Sequence, residues 1–182
     1  TGAEISTANV VLAIGAGDQP RWPGWAPRDD PRVHHIFESD FQGWPSTGES
    51  VAVVGGGISA GQVALRLVEE GHTVHLVSRH ALREHQFDSD PGWLGPRYMK
   101  GFELEKDVDK RRKMISSARH KGSVPPDVRD ALYAAINRKQ VYWHKGKVDG
   151  FGVQGSVRTM RLTTGTVLEV QHVLLATGFA GH

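Results

Sequence analysis

Apolar and polar residues follow two rhythms along this chain, and the switch between them marks its elements. Val51-Ala-Val-Val54 is an unbroken apolar run of strand length, the pattern of a parallel strand buried on both faces. Gly55-Gly-Gly57 interrupts it, and a helical period follows. Ala60, Val63, Ala64, Leu67 and Val68 share one face, while Gln62, Arg66, Glu69 and Glu70 take the other. Gly71 suits a helix C-terminus, and His72-Thr-Val-His-Leu-Val77 reads as a second strand. Strand, helix and strand in this order predict a βαβ unit. Further on, Ser123-Val-Pro-Pro126 announces a helix with Val128, Leu132, Ala135 and Ile136 on one face. Two or three polar strands are predicted across Val141 to Leu162, as an antiparallel meander beside the parallel sheet. Thr166 to Ala176 then returns to that sheet.

The glycines carry chemistry as well as punctuation. Gly55 permits a tight turn, Gly57 lets the backbone approach a pyrophosphate, and Ala60 keeps the helix close to the strand. Gly57, Ile58 and Ser59 open the helix, where unpaired N–H groups and the positive dipole end attract an anion. The expected fold class is therefore α/β: a Rossmann-like dinucleotide-binding domain with a parallel sheet and an antiparallel β-meander. The plain alternative is that these glycines serve packing only.

The end of the second strand bears on which nucleotide binds. An NAD site places Asp or Glu roughly 20 residues past the glycines to hold the ribose hydroxyls. Here Ser78-Arg79-His80 stands in that region, with Arg83 just beyond. A guanidinium pairs with a 2′-phosphate that a carboxylate would repel, so Ser78 and Arg79 point to NADP. A merely solvated arginine is the alternative.

The two ends of the chain match each other. Thr1-Gly2 aligns with Thr164-Gly165, and Val10-Val-Leu-Ala-Ile-Gly15 aligns with Val173-Leu-Leu-Ala-Thr-Gly178. Two copies do not make a solenoid. They read as one device used on each side of the glycine turn. Here the chain resembles the two-dinucleotide flavoproteins, the pyridine-nucleotide flavin reductases and flavin-containing monooxygenases. In that family an Ala-Thr-Gly strand end closes the FAD domain, and another closes the NADP domain. Ala13-Ile-Gly15 corresponds to the first, with Ile for Thr, and Ala176-Thr-Gly178 to the second. Gln19-Pro20 and Trp22-Pro23-Gly24 resemble the proline-rich segment after the first. The family's earlier GxGxxG and its later Gly-Asp strand end are missing. The chain also does not start with Met, and it begins inside a strand-turn-strand pattern. The resemblance thus implies a piece of a longer flavoenzyme, with residues 1–45 as stub and connector from the FAD domain and 46–182 as the NADP-binding domain.

Composition adds limits. The 182 residues, 38% of them apolar, suffice for one sizeable core. No apolar run reaches membrane-spanning length and no signal-peptide pattern is visible, so a cytoplasmic location is expected, with no membrane partner. A formal charge of +2 does not demand a nucleic acid. The absence of cysteine excludes thiol-ligated metals here, and with them the redox CxxC that thioredoxin-reductase-like relatives carry in this domain.

Over 40 residues separate the strand ending near Arg79 from the helix near Pro126, far more than the usual connection of roughly 2–6. A loop from His80 to Phe102 and a polar helix from Leu104 to His120 are expected within it. Related N-hydroxylating monooxygenases use this region on the substrate side of the cleft, which nominates Asp88, Asp90, Trp93 and Tyr98. A self-packed loop with Asp88 and Asp90 capping turns is the competing reading. Lys110-Arg-Arg-Lys113 follows Glu103, Glu105, Asp107 and Asp109, ordinary helix-dipole patterning on a solvated face. His34, His35, His80, His85, His120 and His144 show no metal-ligand spacing, so no metal is expected.

The resemblance implies an NADPH-binding domain of an FAD-dependent oxidoreductase, most like a flavin-containing or N-hydroxylating monooxygenase acting on a small molecule. NADP and FAD are the implied cofactors. Nicotinamide C4 would deliver hydride to flavin N5, and the reduced flavin would activate oxygen. Gly55, Gly57, Ile58, Ser59 and Ala60 are assigned to the pyrophosphate turn. Ser78 and Arg79 take the 2′-phosphate, and Ala176, Thr177 and Gly178 the nicotinamide end. No catalytic proton-transfer residue is identified. Exposed stub strands allow a homo-oligomer. A flavin reductase serving another acceptor and a non-catalytic NADP sensor remain as alternatives.

Overall fold

A computed structural model describes residues 6–11, 19–39 and 41–180. Thr1-Gly2 and Ala13-Ile14-Gly15 lie outside the described residues, so the first copy of the repeated strand end does too.

The chain builds three layers. The middle layer is a five-stranded parallel sheet. Its strands are β1 (Val33–His35), β2 (Ser50–Val54), β3 (Thr73–Ser78), β6 (Val141–Lys145) and β10 (His172–Leu175), ordered β1-β10-β2-β3-β6. Helices α1 (Ile58–Glu69) and α4 (Pro126–Asn137) cover one face. The antiparallel meander β7 (Val148–Gln154), β8 (Val157–Leu162) and β9 (Val167–Val170) covers the other. The α/β, Rossmann-like class expected from the sequence is the class observed.

Burial on both faces explains why β2 shows no alternation. Val51 and Val53 pack with Ala64, Leu67 and Leu132 of the helices. Ala52 and Val54 pack with Met160, Leu162, Leu168 and Val170 of the meander. Each fully buried Leu or Val contributes about 1.5–3 kcal/mol. α1 ends as its sequence indicates, with Gly71 at φ +84° just past the C-cap Glu70. Gly61 brings α1 and α4 together, because a Cβ there would lie 2.8 Å from Val128 Cγ1.

Three elements differ from the sequence expectation. Val141–Lys145 belongs to the parallel sheet, paired with β3 from Val74↔Val141 to Ser78↔Lys145. The meander begins only at Val148. β6 reads as polar because it is an edge strand. Val141 packs under the helices, whereas Tyr142 and His144 stack with His75 on a less covered face.

The connector 28–45 contains a strand, since β1 pairs with β10 at the other edge of the sheet. It is fastened to the meander as well. Arg158, 5% exposed, grips Asp30 through Nε and Nη2. Burial opposes the Asp30 charge, but hydrogen bonds from Arg158 and from the Arg32 N–H hold its carboxyl below the usual range.

The long segment after β3 is more ordered than a loop and one helix. It runs through β4 (Arg83–Glu84), a 3₁₀ turn (Pro91–Leu94), α2 (Pro96–Leu104), α3 (Val108–Ala118) and β5 (Ser123–Val124). Pro96 starts α2 at its first turn. Asp107 then caps a fresh helix, accepting from the N–H groups of Asp109 and Lys110, so the polar helix expected from Leu104 begins at Val108, and α2 stands where a loop was expected.

Candidate functional site

The glycine turn lies at the C-terminal edge of the parallel sheet, where open α/β folds bind ligands. Its first two ends are fixed by backbone bonds: Gly55 N–H donates to Val77 at 2.9 Å, and Ala176 N–H donates to Val54 at 2.9 Å. The structure therefore places Gly55 and Ala176 side by side. A Cβ on Gly55 would stand 2.4 Å from the Ala176 carbonyl oxygen and 2.9 Å from Ala60 Cβ. Packing alone demands glycine at 55.

Gly57 is different. Its φ of −105° and ψ of −176° are open to any residue, and a Cβ there would meet nothing nearer than Gly122 Cα at 3.4 Å. Neither backbone strain nor protein packing requires a glycine at this position. What it leaves is a bare approach to the first turn of α1. No side chain caps that turn, and the N–H groups of Ile58, Ser59 and Ala60 have no acceptor among the described residues. Ala60 itself is buried against the sheet. A pyrophosphate fits this donor set: a bare glycine, unpaired amides and a positive helix end.

The cations sit at the neighbouring strand end. Arg79 is exposed and forms no ion pair among the described residues. Ser78 is not comparably available. It is 2% exposed, its hydroxyl donates to the His80 carbonyl at 2.8 Å, and it accepts from Trp143 Nε1 at 2.8 Å. Its observed work is to tie the end of β3 to β6, which orients the residues that follow it.

The Ala176-Thr177-Gly178 strand end forms a second feature about one strand away. Thr177 Oγ1 donates to the Arg21 carbonyl and accepts from His35 Nε2 at 3.1 Å. Phe37 N–H donates to His35 Nδ1 at 3.3 Å, which fixes the neutral imidazole with its proton on Nε2. Burial holds the His35 pKa down to about 4, against a hydrogen bond to the Gly178 backbone that raises it. Arg21 N–H donates to Gly178 O at 2.8 Å, and Ala180 N–H to Gln19 O at 2.9 Å. The entering segment 19–22 and the leaving segment 177–180 thus run antiparallel, locked by one buried histidine that sequence reasoning did not single out. A buried His on a three-residue strand leaves no periodic signal.

The aromatic segment of the insertion is packed on itself. Trp93 rests on Tyr98 and Phe102, and Arg111 lies over Phe102 at 4.3 Å. Asp90 caps the 3₁₀ turn by accepting from Gly92 N–H at 2.7 Å, and the Asp88 carbonyl accepts from His120 N–H. Lys110, Arg111, Arg112 and Lys113 all lie exposed on α3. Among the described residues no group of three or more His, Asp or Glu is placed to hold a metal, and no helix is long and apolar enough to cross a membrane.

A parallel sheet with helices on one face and a meander on the other, and a bare glycine turn at its C-terminal edge, is the Rossmann-type arrangement of the flavoproteins it superposes on. The sequence profile described as pyridine nucleotide-disulphide oxidoreductase matches residues 1–115, and the chain belongs to that family. No curated protein sequence matches it. Among solved structures it is similar to the ornithine hydroxylase PvdA of Pseudomonas aeruginosa, with 17% identity and a TM-score of 0.69. It is similar also to the ornithine N-hydroxylase KtzI of Kutzneria sp. 744, described with reduced FAD, NADP+ and L-ornithine, at 18% identity and a TM-score of 0.67. Each match covers 90% of this chain and 44% of the other. The bacillithiol disulfide reductase of Bacillus cereus matches at 17% identity and a TM-score of 0.53, over 91% of this chain and 38% of its own. The chain spans less than half the length of these structures.

Proposed function

We propose that this chain is the NADPH-binding part of an FAD-dependent monooxygenase, presenting the nicotinamide for hydride transfer to flavin. The observation that carries the reading is Gly57, a glycine that neither backbone conformation nor packing requires, at the mouth of an uncapped helix, with Arg79 unpaired among the described residues just past the end of the neighbouring strand β3. Gly57, Ile58, Ser59 and Ala60 hold the pyrophosphate with backbone N–H groups. Arg79 meets the 2′-phosphate, with Ser78 fixing the strand end beneath it. Ala176, Thr177 and Gly178 line the nicotinamide end. NADPH supplies the hydride when bound; the chain's part is to bind, orient and neutralise charge. Residues 46–182 form the nucleotide-binding unit, and 1–45 lead in from a flavin-binding part while adding β1 to the sheet edge. The likeness to the two ornithine hydroxylases, at TM-scores of 0.69 and 0.67, supports the monooxygenase reading, and a flavin reductase serving another acceptor is the alternative.

Calorimetric titration with NADPH and NADH, repeated on Arg79→Ala, tests the assignment. A charge-assisted contact of about 1.5–3 kcal/mol predicts NADPH binding roughly 10- to 150-fold tighter than NADH, with the preference removed in the variant. Equal affinities in the parent would overturn the assignment of Arg79.

A further inference from the structure

His80 has a role that Arg79 alone does not fill. Its Nδ1 lies 2.8 Å from the Ala81 carbonyl oxygen, so that nitrogen carries the hydrogen and donates it. Nε2 is left with its lone pair and no partner among the described residues. The Nε2–Cε1 edge lies against the glycine turn: a Cβ on Gly56 would be 3.2 Å from Cε1 and 3.6 Å from Nε2. From the far side, a Cβ on Gly122 would come within 2.9 Å of Nε2. Gly122 has φ +71°, a conformation that favours glycine, and its Cα also faces Gly57. Two glycines thus make room for one edge of one imidazole, beside the amides assigned to phosphate.

Cationic side chains outnumber carboxylates in the segments around His80. Arg79 and Arg83 flank it on its own segment, Lys121 precedes Gly122 on the returning segment, and Lys145 pairs with Ser78 at the end of β6, while burial disfavours a charge on His144 and the glycine turn adds none. Glu84 is the carboxylate in these stretches, and Arg129 of α4 already pairs with it.

We propose that His80 is a phosphate ligand of the bound dinucleotide and that binding draws one proton onto Nε2. The proton comes from the buffer. The new Nε2–H donates to a phosphate oxygen while Nδ1–H keeps the Ala81 carbonyl. A neutral Nε2 would instead set a lone pair against an oxyanion. The inference rests on the NADPH-binding reading above.

Calorimetry of NADPH binding to the full chain at neutral pH, in two buffers of different ionisation enthalpy, counts the protons taken up. The parent should show net uptake. His80→Ala should lose it and bind about tenfold more weakly. His80→Lys, which brings its own charge, should keep most of the affinity without the uptake. The same pair of titrations with NADH places the contact: a loss confined to NADPH identifies the 2′-phosphate, and a loss with both identifies the pyrophosphate. Parental affinity and parental proton count in His80→Ala would overturn the inference while leaving NADPH binding intact. A parent that binds neither nucleotide would instead overturn the underlying reading, and this inference with it.

Discussion

Gly55 and Gly57 stand two residues apart in one turn, and the structure gives them opposite reasons to be glycine. Replacing each by alanine separates packing from ligand approach. At Gly55 the new methyl would lie 2.4 Å from the Ala176 carbonyl oxygen, which is backbone of the adjacent strand and does not swing away. Overpacking of this kind costs about 1–3 kcal/mol. At Gly57 the methyl would meet Gly122 Cα at 3.4 Å, an ordinary contact. Alanine is a poorer N-cap than glycine, by roughly 0.5 kcal/mol. Against this, the stiffer unfolded chain returns about 0.4–1 kcal/mol. The net change in stability at Gly57 should therefore be near zero. Binding should move the other way, because the methyl stands where the pyrophosphate meets the amides of Ile58 and Ser59. Loss of charge-assisted hydrogen bonds there weakens NADPH by roughly 10- to 150-fold. Urea unfolding followed by circular dichroism, with calorimetric titration of NADPH, reads both effects. Parental binding by Gly57→Ala, or a loss of stability as large as that of Gly55→Ala, would refute the reasoning.

The buried pair Asp30–Arg158 should dominate the surface pair Asp149–Arg161: Asp30→Ala is expected to cost about 3–5 kcal/mol and Asp149→Ala less than about 1 kcal/mol in urea unfolding. His35 sets a pH dependence. Its pKa falls to about 4 in the fold from 6.5, so the unfolded chain binds the extra proton. The stability this neutral histidine preserves is whole above pH ~6.5 and is lost as pH falls towards 4, by an amount on the order of 3 kcal/mol. His75, His144 and His172, lowered mainly by burial, act in the same direction, and His35→Gln should flatten the slope of stability against pH in that window. A slope unchanged in the variant would remove His35 from the explanation. Thr177→Val should destabilise by about 1–3 kcal/mol by stranding both His35 Nε2–H and the Arg21 carbonyl, while Thr177→Ser should not. The purified chain, with one glycine fingerprint committed to NADP, should be colourless in the flavin band and should not oxidise NADPH when FAD is added; stoichiometric bound FAD would reassign the glycine turn to the flavin.

The parts of this fold legible in the sequence are those buried on both sides. β2, α1 and β3 announce themselves because every position from Val51 to Val54 meets a neighbour, and because Gly71 must take a left-handed conformation. α4 shows its face through Val128, Leu132 and Ala135. Edge strands are harder to read: β6 mixes Val141 with Tyr142 and His144, and β1 is three residues long. The insertion lacks a buried stripe altogether, for neither α2 nor α3 has a buried residue, so only Pro96 and the Asp107 cap mark where each begins. In the candidate site, the spacing of Gly55 and Gly57 is visible in sequence, but their different reasons for being glycine are not. Those depend on Ala176 and Gly122, which only the fold brings near. Ser78 shows the converse, a polar residue beside Arg79 whose hydroxyl is used inside the protein.

The decisive measurement is a residue-resolved amide NMR titration of the chain with NADP+. Occupancy of the glycine turn predicts saturable shifts at Gly55 to Ala60 and at Ser78 to His80, with a second group around Ala176 to Gly178. Shifts at these amides should weaken together in Gly57→Ala. Saturable shifts confined to other surfaces, or no saturable shifts at all, would contradict the assignment of this turn to NADPH.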